Sequence, residues 1–87
     1  MNEMEQAEDD FSHERLIEAI ENQIADGHPR EAGLVMMALT ANGESHDEVL
    51  VKMAAVLARH IALSAEKDSA FDINAYAAGL LELQSSA

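Results

Sequence analysis

Ser45-His46-Asp47-Glu48-Val49-Leu50-Val51-Lys52-Met53-Ala54-Ala55-Val56-Leu57-Ala58-Arg59-His60-Ile61 reads as a helix start followed by an apolar stripe. Ser45 and Glu48 stand three residues apart, the spacing of a capping box. The Ser45 side chain accepts the free N–H of Glu48, and the Glu48 carboxylate turns back to the N–H of Ser45. Val49, Leu50, Met53, Val56, Leu57, His60 and Ile61 then recur at helical period. Glu48 and Lys52 form an i,i+4 pair in the favourable order. Arg59 and Lys67 fall toward the C-terminal end, where positive charge suits the helix dipole. The spacing predicts a long central helix over 46–65, with no Gly or Pro between Ser64 and Ser69 to fix its end.

Working outward, Asn42-Gly43 is a stop and Pro29 a start, with Ala32, Leu34, Val35, Met36, Met37, Leu39 and Ala41 between them. This predicts a helix over 29–41. Gly33 in its interior costs about 1 kcal/mol relative to Ala, which a closely crossing helix would explain. Before it, Leu16, Ile17, Ile20 and Ile24 define a helix over 13–26, with Ser12 as N-cap and Gly27 as a left-handed exit. Downstream, Asp72 reads as an N-cap, with Phe71 and Tyr76 at staple spacing. Ile73, Tyr76, Ala77, Leu80, Leu81 and Leu83 follow, predicting a helix over 73–83.

No segment alternates with period two, so the fold class is all-α: a single domain over 11–83, a compact bundle of four short helices. Residues 1–10 hold five acids and little apolar area, which predicts a disordered acidic tail, and 84–87 a frayed one. The core is expected to be aliphatic, with Met36, Met37 and Met53 filling gaps. One Tyr and two Phe make it thin, which leaves a homodimer open.

The chain has 87 residues, five Lys+Arg against seventeen Asp+Glu, a formal net charge of −12 and no Cys. That length gives one core. The absence of Cys removes thiolate and disulfide chemistry. Five scattered cations make no phosphate-binding patch, so neither nucleic acid nor an anionic membrane is an expected partner. The apolar runs are broken by Lys52, Arg59 and His60, so no membrane span is expected, and the acidic start predicts a cytoplasmic protein.

No Gly-rich phosphate loop, nucleophile elbow or EF-hand loop occurs. The expectation is a protein that is not an enzyme and carries no cofactor. Two surfaces stand out. Glu14, Glu18 and Glu21 share one face of the first helix and form a candidate partner-binding edge; solubility is the ordinary account of such charge. His13, Glu21 and His60 would meet if helices one and three pack. Two imidazoles and a carboxylate suit zinc, iron or manganese. The ordinary account is a histidine at the core margin, its ring covered and one nitrogen exposed.

The stretch His13-Glu-Arg-Leu-Ile-Glu-Ala-Ile-Glu-Asn-Gln23 resembles the opening of an uncharacterised bacterial family of small helical proteins. That opening reads H-x-x-x-H-x-x-I-E-x-Q. His13, Ile20, Glu21 and Gln23 match it, and Pro29, Gly43, Glu48, His60, Tyr76 and Leu83 match later positions. The resemblance spans about 70 residues. It implies the helical fold and brings no biochemical function. The family's second histidine is Ile17 here, and its H-E-x-x-H motif is Asp47-Glu48-Val49-Leu50-Val51, so the metal site such a motif implies is largely removed.

The expected function is a small acidic cytoplasmic interaction module, meeting a protein partner or a second copy of itself. The alternative is an acidic inhibitor that mimics nucleic acid, and the third reading is a metal-binding helical protein.

Overall fold

Each of the first three helices ends on one residue with a positive φ, and these three residues divide the chain. The computed structural model describes residues 13–85. The tail at 1–10, Phe11, the Ser12 cap and the last two residues lie outside them. Helix α1 is Arg15–Asp26, α2 Arg30–Ala41, α3 His46–Glu66 and α4 Ile73–Ser85. No strand occurs among the described residues, and the fold is an all-α bundle of four helices.

Gly27 (φ 71°) and Gly43 (φ 101°) close α1 and α2. The N–H of His28 donates to the carbonyl of Gln23 at 3.2 Å, and that of Gly27 to Ile24 at 3.3 Å. Glu44 to Leu39 (3.2 Å) and Gly43 to Thr40 (3.0 Å) repeat this Schellman pattern. The third stop was not marked by any Gly. Asp68 takes φ 52° after α3. Ser69 donates to Ser64 at 3.0 Å and Asp68 to Ala65 at 3.2 Å, so the same motif is built on a residue that tolerates the left-handed region.

The starts are equally local. Ser45 Oγ accepts from the N–H of Glu48 at 3.1 Å, and Glu48 Oε1 from the N–H of Ser45 at 3.2 Å. Asp72 Oδ1 accepts from the N–H groups of Asn74 and Ala75, both at 3.1 Å. The Phe71 and Tyr76 ring centroids lie 5.5 Å apart, which closes the staple. Pro29 is buried and extended (φ −70°, ψ 149°), one position ahead of α2 rather than inside its first turn. The peptide bond before it is cis. Past the expected end at 83, α4 continues to Ser85, because nothing in Gln84 or Ser85 stops a helix.

Helix α1 packs on α2 and α3, and α4 packs on the same two from the other side, while α1 and α4 share no extended seam. The core comprises Leu16 and Ile20 of α1, Ala32, Val35, Met36 and Leu39 of α2, Val49, Leu50, Met53, Ala54 and Leu57 of α3, and Tyr76 and Leu80 of α4. Met37 does not fill it: that side chain is 68% exposed, on the face of α2 away from Val35 and Met36. Gly33 is not a crossing point either, since a Cβ there would meet nothing within 4 Å. The close approach lies at Gly79. A Cβ at that position would stand 3.0 Å from His60 Nε2 and 3.1 Å from Val56 Cγ1, so the missing side chain lets α4 seat against α3. Lys52 pairs with Glu44 and not with Glu48, whose carboxylate is occupied in the capping box.

Candidate functional site

Leu16 and Ile20 are held in the core, and this fixes the rotation of α1. At about 100° per residue, Glu14, Glu18 and Glu21 then fall on the side away from the bundle, and all three are exposed. They line a shallow depression with His13, Arg15 and Ile17. Ile17 is half-buried, so an apolar patch lies beside the carboxylates. None of the three pairs with a cation among the described residues. Glu18 lies in the first turn of α1 and Glu14 just before it, where the dipole favours negative charge. Glu21 lies further along and lacks that support. Such an edge suits a cation on an apolar stem, as in Lys or Arg.

The structure places the histidines apart. His13 borders a small recess against Val51, Ala54 and Ala58 of α3. His60 is on the opposite flank of α3, where its ring meets the edge of Tyr76 with centroids 6.1 Å apart. Positions 51, 54 and 58 point to one side of α3 and position 60 to the other, so the packing of α1 on α3 does not bring His13 and Glu21 to His60. No group of three or more His, Asp or Glu among the described residues is arranged to hold a metal ion. His28 and His46 are exposed.

Tyr76 is fully buried, and its hydroxyl donates to Gln23 Oε1 at 2.7 Å, which ties α4 to α1. Burial pushes its pKa up from 10.0 to about 12. Nothing in the sequence links positions 53 residues apart.

No helix among the described residues is long and apolar enough to cross a membrane. Comparison with known proteins adds no relative: no family model, no curated protein and no solved structure matches the chain.

Proposed function

We propose that this chain is a small acidic cytoplasmic interaction module, without enzymatic activity, that meets a basic protein partner through the outer edge of α1. One observation carries the reading: Glu14, Glu18 and Glu21 are exposed on the side of α1 away from the core and have no cation partner among the described residues. Like charges one turn apart cost a few tenths of a kcal/mol in an isolated helix. Glu21 has no compensating position at the helix N-terminus, so an external partner gives that charge a role. The resemblance to an uncharacterised family carries a fold and no activity, so the reading rests on this surface.

The test is a pull-down from the native host with the wild type and with Glu14→Gln, Glu18→Gln and Glu21→Gln combined. The triple variant is expected to fold with unchanged or slightly raised thermal stability and to lose a basic partner. If every captured protein survives the change, the edge is a solvated surface and the proposal fails. Mass in solution at two concentrations reports whether a second copy is the partner instead.

A further inference from the structure

Between Glu31 and Glu44 the chain has no Asp, Glu, Lys, Arg or His, and this run makes up α2 beyond its first turn. The inner side of α2 gives Ala32, Val35, Met36 and Leu39 to the core. The outer side carries Leu34, 46% exposed, Met37, 68% exposed, and exposed Ala41. A helix that is apolar all round is normally covered all round. In the single chain the outer side of α2 is open.

Arg30, Leu34, Met37 and Ala41 follow one another at steps of four, three and four residues. That alternation is the seam of two paired helices. The steps read the same in both directions, so a second α2 laid antiparallel sets Leu34 against Met37 of the other copy. The same register sets Arg30 against Ala41, at the C-terminal end of the other α2. That end has no basic residue in its last turn, and the Ala41 carbonyl accepts no backbone hydrogen bond from the turn that follows. The Arg30 guanidinium has no carboxylate partner among the described residues and complements that end of the helix. A two-fold axis uses the contact twice. The neighbouring carboxylates stay out of the seam. Glu31 lies about 90° round α2 from it, and Glu44 is held by Lys52.

The charge balance points to the same occupant. A basic partner is steered to acid, and α2 offers none on this side. Two chains that each carry −12 approach at least cost across a face without charge. From Arg30 to Ala41 the seam is about 16 Å long. One helix face of that length falls short of the about 800 Å² per partner of a standard interface, so the contact is reversible and not obligate.

We infer that α2 mediates a weak two-fold dimer of this chain, with Leu34 and Met37 packed across the axis and Arg30 on the C-terminal end of the opposite helix. The inference is independent of the proposal for α1, since it concerns another helix and another kind of partner.

Sedimentation equilibrium of the full chain from about 10 μM to about 1 mM tests it. The average mass is expected to rise from one chain toward two. Met37→Glu should weaken association about tenfold or more, and Arg30→Gln about threefold or more. Leu34→Glu should act as Met37→Glu does, and circular dichroism checks that each variant keeps its helices. Neutralising Glu14, Glu18 and Glu21 should leave association unchanged or tighter, which separates this contact from the α1 edge. The chain has no Cys, so single cysteines report the register. Leu34→Cys mixed with Met37→Cys under mild oxidation should give the mixed disulfide above its statistical share, because like positions stand about 4.5 Å out of register. The inference is overturned if the wild type stays a monomer at about 1 mM, if Met37→Glu associates as tightly as wild type, if the triple α1 variant abolishes association, or if the mixed disulfide does not exceed its statistical share. The wild-type series needs no variant to fold.

Discussion

Replacing Tyr76 by Phe removes one oxygen from the centre of the bundle and leaves the ring in place. At neutral pH the loss is the 2.7 Å bond to Gln23. Gln23 is half-buried, so water can take over its acceptor, and the cost is about 1 kcal/mol. The sign changes in alkali. The phenol has a pKa of 10.0 in the unfolded chain and about 12 in the fold. The fold therefore favours the neutral form, and the stability this contributes is complete below pH 10 and lost as pH rises toward 12. At about pH 11 the unfolded chain is stabilised by roughly 1.4 kcal/mol through ionisation that the folded chain resists. Subtracting the lost hydrogen bond, Tyr76→Phe should be the less stable protein at about pH 7, equal to wild type just below pH 11, and the more stable one above it. Urea unfolding followed by circular dichroism measures the gap, and because both proteins carry the same other charges, their titration cancels. The chain has one Tyr and no Trp, so phenolate absorbance reports this group alone. A phenolate titrating near 10, with a gap constant in pH, would refute the reasoning.

Four other expectations can be checked by thermal or chemical unfolding. Ser45→Ala removes the acceptor of the Glu48 N–H and should cost about 1 kcal/mol. Gly33→Ala places a methyl where nothing lies within 4 Å and should stabilise by about 1 kcal/mol, several degrees in Tm; a loss would mean a neighbour approaches that face. Asp68→Gly relieves a left-handed φ of 52° and should gain about 0.5 kcal/mol, the relief being partly offset by the freedom glycine adds to the unfolded chain. Neutralising Glu14, Glu18 and Glu21 together should leave Tm unchanged or slightly higher, because no described cation depends on them.

The parts of this structure legible in the sequence are those settled within about six residues. The Ser45–Glu48 box, the stops at Gly27 and Gly43, and the Asp72 cap with its Phe71–Tyr76 staple all stand where local chemistry puts them. What was not legible depends on which helix lies next to which. Gly33 and Gly79 look alike as letters, and only the packing of α4 on α3 shows that the second makes the close contact. Met37 looks like Met36 until the rotation of α2 turns it outward. His60 would meet His13 only if its flank of α3 faced α1, and that flank faces α4. Asp68 carries a weaker signal than a glycine, because its side chain tolerates a left-handed φ without requiring one, and the closure of α3 selects it. At the acid edge, the shared face of Glu14, Glu18 and Glu21 was readable from spacing. Their lack of cation partners required the fold.

The repeated stop at Gly27, Gly43 and Asp68 bears on how this chain tolerates insertions. Within a helix, one added residue turns everything beyond it by about 100°. A left-handed stop, closed by its own backbone bonds, starts the next segment afresh. An extra residue inside α2 therefore leaves the Gly43 turn and the Ser45 box able to form unchanged. The phase error falls on α2, whose Leu39 would swing out of the core while Leu50 and Met53 keep their places in α3. Length changes in this fold are thus damage confined to one segment, and the three stops behave as joints between separately phased rods.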